Sequence, residues 1–197
     1  MPARSACALT AVRRLASNDN GFSLLDVLMT IVVIGIVSTI AIVQIGEARQ
    51  SFTGDGGMRV VVSQLNTARE LAIAQRRNIR VRFAGANQID LIRQDVPAGT
   101  TTLSSVYLEG GMAYALMTGL PDTPDGFGKG QAVDFGAAAT IMFATDGTLI
   151  DGTGNPVNGT VYLALSTLPR SARAITILGA TGRVSAYRWD GTRWIRV

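Results

Sequence analysis

The chain has 197 residues, 18 basic against 14 acidic side chains, a formal net charge of +4, no histidine and one cysteine, Cys7. Without histidine there is no Ser-His or Cys-His nucleophile pair and the commonest zinc ligand is missing, while a single cysteine forms no intrachain disulfide, so any folded domain must rest on its core alone. A net charge this small singles out no class of partner.

In chain order, Arg4, Arg13 and Arg14 come first, against one acid, Asp19. The stretch from Gly21 to Val43 then reads GFSLLDVLMTIVVIGIVSTIAIV and is apolar except for Asp26 near its start. From Val27 to Val43 seventeen residues carry no charge. At the helical rise they reach roughly 26 Å, and adding Phe22 to Leu25 makes the run long enough for a bilayer. Basic residues before the run, and their scarcity just after it where Glu47 precedes Arg49, favour a cytoplasmic N-terminus and an exported remainder. A carboxylate at the edge of hydrocarbon is costly unless compensated, which makes Asp26 a functional candidate; the plainer alternative sets it at headgroup depth. Gly35 has no second glycine at i+4 and reads as an ordinary membrane-helix glycine.

After Val43 the chain turns polar and reaches Gly54, Asp55, Gly56 and Gly57, where helix-weakening glycines predict a bend. Helical spacing resumes with Met58, Val61, Val62, Leu65, Ala68 and Ala72 on one face, and Arg59, Gln64, Arg69 and Arg76 elsewhere. From Ile79 the period changes to two. Ile79, Val81 and Phe83 alternate with Arg80 and Arg82, and Ile89 and Leu91 follow beyond Gly85 to Asn87, a β-hairpin pattern. Further strands are expected at Leu103–Leu108, Ala132–Phe135, Thr140–Ala144, Thr160–Leu165, Ala174–Leu178 and Arg183–Trp189, with turn clusters at Pro121–Gly130 and Asp146–Gly159. A helix followed by irregularly spaced strands implies one α+β head of antiparallel sheet packed on a helix.

The order of a basic leader, Gly21, Phe22, Ser23, Leu24, Leu25, Asp26 and an apolar helix resembles the N-terminus of type IV pilins and type II secretion pseudopilins. In a general secretory signal peptide the small cleavage-site residue follows the apolar core, whereas Gly21 precedes it. TARELAIAQRRN (Thr67 to Asn78), IMFATDGTL (Ile141 to Leu149) and ITILGATGRVSAYRW (Ile175 to Trp189) are similar to the GspH/FimT-type branch of that family. The resemblance implies a prepilin leader at 1–21, a transmembrane N-terminal helix at 22–45, its soluble continuation at 46–78 and a β-rich, sandwich-like periplasmic head at 79–197. It further implies cleavage between Gly21 and Phe22 by a prepilin peptidase, N-methylation of Phe22, and subunit assembly through Asp26, whose carboxylate would pair with a neighbour's terminal amine. Partners would be other pseudopilins or minor pilins and the inner membrane, in a structural subunit that is not an enzyme and uses no cofactor. Asp26 stands where the family usually has Glu, and Val43 where it usually has Pro.

A second function is carried by the C-terminal run, where Arg183, Arg188, Arg193 and Arg196 interleave with Trp189 and Trp194, a mixture suited to single-stranded nucleic acid. Some FimT-like minor pilins take up DNA through a Gly-Arg-x-Arg element. Here Gly182 and Arg183 are followed by Ser185 in place of the second Arg, so a terminal strand with a charged edge is the plainer reading. The acidic, glycine-rich loops Asp122 to Lys129 and Asp146 to Asn158 invite calcium, but neither has the spacing of an EF-hand, and solvated turns without metal are expected.

Overall fold

The computed structural model describes residues 23–165 and 168–197, with the backbone alone described at 43–50. The chain divides into two compact units, Met1–Ile42 and Val43–Val197. One helix, α1, runs from Leu24 to Gln75 and contributes to both. Ser23 opens it: the Ser23 Oγ accepts from the Leu25 N–H at 3.4 Å, and the Ser23 carbonyl accepts from the Asp26 and Val27 N–H groups at 2.9 and 3.3 Å. A serine here satisfies donors that the first helical turn otherwise leaves orphaned.

In the first unit, Leu24–Ile42 is 19 residues long and apolar enough to cross a membrane. At the helical rise it spans about 28 Å, close to the hydrocarbon thickness of a bilayer. All of these residues are exposed, including Leu24, Leu28, Ile31, Ile34 and Ile42 at 56% or more. A continuous apolar surface of this extent calls for burial in something other than water. Both threonine hydroxyls within the span are satisfied by the helix itself, Thr30 Oγ1 donating to the Val27 carbonyl and Thr39 Oγ1 to the Gly35 carbonyl, both at 2.8 Å.

In the second unit, α1 buries Met58, Val61, Leu65, Ala68 and Ala72, the stripe that the helical spacing predicts. The helix is unbroken at Gly54, Asp55, Gly56 and Gly57, where the composition predicts a bend. Two of these glycines serve close packing instead. A Cβ on Gly54 would lie 2.7 Å from the Ser171 carbonyl oxygen, and one on Gly57 3.1 Å from Met112.

Two antiparallel sheets complete this unit. The first takes the order β3 (Thr100–Tyr107), β2 (Gln88–Gln94), β1 (Ile79–Ala84), β6 (Ile141–Phe143), β7 (Leu149–Asp151). The second takes β11 (Trp194–Arg196), β10 (Arg183–Trp189), β9 (Arg173–Leu178), β8 (Gly159–Ala164), β4 (Ala113–Tyr114), with β5 (Val133–Asp134) also on β8. In the β1–β2 hairpin the register sets Val81 opposite Leu91 and Phe83 opposite Ile89, so the apolar residues of both strands share a face. That face, the α1 stripe, and Val161, Leu163, Ile175 and Ile177 of the second sheet form one core. The other face of the second sheet carries a smaller core, Tyr162, Ala174, Tyr187, Trp189 and Trp194, closed by Leu116, Met117 and Leu120.

The chain is therefore α+β, a helix followed by antiparallel sheets. Three short strands, β4, β7 and β11, fall where the composition predicts none, and β7 lies inside the Asp146–Gly159 turn cluster. The strand predicted at Ala132–Phe135 shortens to Val133–Asp134, and the one predicted from Leu103 begins at Thr100.

Candidate functional site

Gly21 and Phe22, the expected cleavage and methylation positions, lie outside the described residues. Asp26 sits in the first turn of α1, exposed, at the start of the apolar span. A carboxylate there interacts favourably with the positive end of the helix dipole. Gly35 has open space around it, with nothing within 4 Å of the position a Cβ would take.

The three segments that carry the GspH/FimT resemblance meet in the second unit. Arg69 of α1 donates through Nε to the Gly147 carbonyl oxygen at 3.2 Å. Gly182 packs into the same spot, so closely that an added Cβ would lie 2.0 Å from that oxygen and 2.9 Å from the Arg69 Nε. The two turns are also tied directly, the Leu149 N–H donating to the Gly179 carbonyl at 2.9 Å. Gly147 and Gly182 have φ of 83° and 63°, values that disfavour any side chain, so glycine is required twice over at Gly182. A second tie joins α1 to β9. Arg173 is fully buried, and its Nε donates to Asp55 Oδ1 at 2.8 Å while its Nη2 donates to the Ser51 carbonyl and hydroxyl at 2.8 and 3.1 Å. Its Nη1 donates to the Arg170 and Ala172 carbonyls. Every nitrogen of this buried guanidinium is thus engaged, which a buried charge demands. Neither tie is visible in periodicity, although Asp55 within the Gly-Asp-Gly-Gly run was the available signal for the second.

The C-terminal basic and aromatic residues do not form one surface. Trp189 and Trp194 are 8% and 7% exposed, their rings 5.3 Å apart in an edge contact, and Trp194 Nε1 donates to the Pro121 carbonyl at 2.9 Å. Both indoles are core side chains, and little of either ring reaches the surface. Arg196 donates to Ser185 Oγ at 3.3 Å, so Ser185 supports a cross-strand contact. The strand pairing sets Arg196 opposite Tyr187 and Arg183 on the same face, while Arg188 projects from the opposite face, and Arg193 lies in the turn 3.7 Å from Asp190.

The carboxylates of the acidic loops close their own turns. Asp146 Oδ1 accepts from the Thr148 hydroxyl and N–H at 2.7 and 2.9 Å, and Asp151 Oδ1 from the Thr153 hydroxyl and N–H and the Asn155 N–H at 2.7, 2.8 and 3.0 Å. The threonine hydroxyls, with the backbone N–H groups, hold both carboxyls below the ordinary carboxylate value. In the Asp122 to Lys129 loop, Asp122 accepts from the Tyr162 hydroxyl at 3.0 Å and Asp125 from the Thr176 hydroxyl, fixing the loop over the second sheet. Burial raises the Tyr162 pKa, and Asp122 adds to the rise. Among the described residues no group of three His, Cys, Asp or Glu side chains comes together to hold a metal ion.

Comparison of the chain with protein-family models, with curated proteins and with solved structures finds no match.

Proposed function

We propose that the chain is a structural minor pseudopilin or pilin subunit of the GspH/FimT type, which enters a periplasmic pseudopilus or pilus tip complex for type II protein secretion. It is held in the inner membrane by a single pass, with its N-terminus in the cytoplasm and a sandwich-like head of two sheets in the periplasm. The observation that carries the reading is Asp26, the lone carboxylate of Leu24–Ile42, set in the first helical turn. It is the fifth residue of a chain beginning at Phe22. In a filament the terminal amine of a neighbouring subunit lies beside this carboxylate, and pairing spares two charges the cost of standing alone in hydrocarbon. The span then supplies helix packing and the head supplies contacts to other minor subunits, with a prepilin peptidase as the processing enzyme. No catalytic step is assigned.

The reading is tested by crosslinking to other filament subunits in cells. Asp26→Ala leaves leader cleavage and membrane insertion intact and abolishes incorporation, because the neighbour's amine loses its partner. Asp26→Glu, one methylene longer, is incorporated. Equal incorporation of the Ala variant would reduce Asp26 to a headgroup-level carboxylate and leave a tip subunit docked by its head.

A further inference from the structure

Strand β1 pairs with β2 along its whole length, from Ile79 opposite Arg93 to Ala84 opposite Gln88, but with β6 only at Ile79, Arg80 and Val81. The β6-side edge of Arg82–Ala84 therefore has no strand beside it. Beyond Ile141 the chain swings away, and residues 131–140 form the far wall of a cavity of about 620 Å³. Its lining contains two guanidinium groups, Arg80 and Arg82, and no carboxylate. Apolar contact is available on the half-buried Phe83 and Tyr114, whose rings lie 5.3 Å apart, with the buried Phe135 ring 6.2 Å behind Phe83.

The two arginines differ in one respect. Arg82 donates through Nε and Nη2 to Asp90 Oδ2 at 3.0 and 2.7 Å, so its charge is answered within the fold. Arg80 has no acidic partner among the described residues, and its Nε is buried without a hydrogen bond. Its Nε is closed off from solvent, but the guanidinium as a whole lines the cavity with its charge unanswered, and such a cation favours an anionic acceptor supplied from outside. A carboxylate matches it in charge and in the planar geometry of a paired hydrogen bond.

We propose that this slot binds an extended acidic peptide segment of a partner protein, which lies beside Arg82–Ala84 as a short added strand and sets a carboxylate against Arg80. Three strand residues offer an edge of about 10 Å, enough for main-chain pairing with a segment of three or four residues. The strand edge favours a peptide over a free small acid, because only a peptide continues the line of β6 past Ile141. The site stands whether or not the chain enters a filament.

The test uses the full chain in detergent micelles and two labelled, capped pentapeptides, Thr-Val-Glu-Val-Thr and its Gln twin, read by fluorescence anisotropy. The Glu peptide binds roughly tenfold more tightly than the Gln peptide, the discrimination expected of one charge-assisted pair. Arg80→Gln removes that preference, Arg80→Lys keeps part of it, and hydrogen exchange slows at the Arg82–Ala84 amides only with the Glu peptide bound. Equal binding of the two peptides to the unaltered chain, or no binding at millimolar peptide, would overturn the proposal without any variant needing to fold. Succinate displacing the peptide mole for mole would overturn the added strand in favour of a small-acid site.

Discussion

The Arg69 Nε lies 3.2 Å from the carbonyl oxygen of Gly147, and this one hydrogen bond joins a helix to a turn 78 positions further along the chain. Gly182 completes the contact from a third segment, and its missing Cβ is what lets the two turns touch. Helix α1 is held in the second unit by this tie and by the Arg173–Asp55 pair, so the sheets and residues 51–75 of the helix are locked at two separated points.

Removing either member of the first tie should lower stability. Arg69→Ala leaves a buried carbonyl unpaired and should cost about 1–3 kcal/mol. Gly182→Ala should cost more than that, since it combines a clash at 2.0 Å with a φ of 63°. Denaturant unfolding of the full chain in detergent, followed by the fluorescence of Trp189 and Trp194, measures both.

Gly54→Ala separates two accounts of the glycine run. Helix propensity alone favours alanine by about 1 kcal/mol, so a glycine present only to soften the helix would give a stabilised variant. Packing against the Ser171 carbonyl predicts a destabilised one. Asp55→Ala should be more damaging, about 3 kcal/mol, because it leaves the fully buried Arg173 without its counter-charge; Asp55 is partly exposed, which holds the figure to the lower end for buried pairs. The same unfolding curves decide both.

Asp190 gives a pH dependence of known sign. The Arg193 N–H, the Thr192 N–H and the Thr192 hydroxyl donate to Asp190, and its pKa falls from the ordinary 3.8 to about 2. The carboxylate is the form that the fold prefers, so its contribution is complete above the unfolded value and is lost as pH falls from about 4 to about 2. Trp189 and Trp194 flank this turn, and their fluorescence should report loosening of the β10–β11 hairpin over that window. Asp190→Asn should remove the part of the acid transition that lies there, and an unchanged transition would show that the turn is held by other means.

The distribution of arginines on two faces, with both indoles buried, predicts weak binding to single-stranded DNA at physiological salt. Neutralising Arg188, Arg193 and Arg196 together should change neither the affinity of the full chain nor its salt dependence by much. Tight binding that disappears, with a flattened salt slope, in the triple variant would make the tail a nucleic-acid interface.

Much of this architecture is legible in the sequence. Periodicity of two marks β1, and spacing of three and four marks the buried stripe of α1 from Met58 to Ala72, because in both elements one face is drier than the other; β2 keeps the alternation of residue type although Asp90 and Ile92 are buried too. The second sheet was harder. It is covered on both faces, so Gly159–Ala164 is buried throughout and shows no alternation, and Trp189 and Trp194 looked like surface aromatics because the loop that covers them lies some 70 residues earlier. Arg80 could not be told from Arg82 by sequence, since the acid that answers Arg82, Asp90, comes from the register of the neighbouring strand. At 54–57 composition predicts a bend because nothing local in the sequence signals that Ser171 and Met112 press against Gly54 and Gly57.

The central claim, that a leader is removed ahead of an intact membrane helix, is tested most directly by mass spectrometry of the N-terminal peptide of the protein purified from its native membranes. The account predicts a chain that begins at Phe22 with a methylated amine and retains Val27 to Val43. A chain lacking those seventeen residues would contradict it, because the protein would then be an ordinary exported domain with no helix to carry it into a filament.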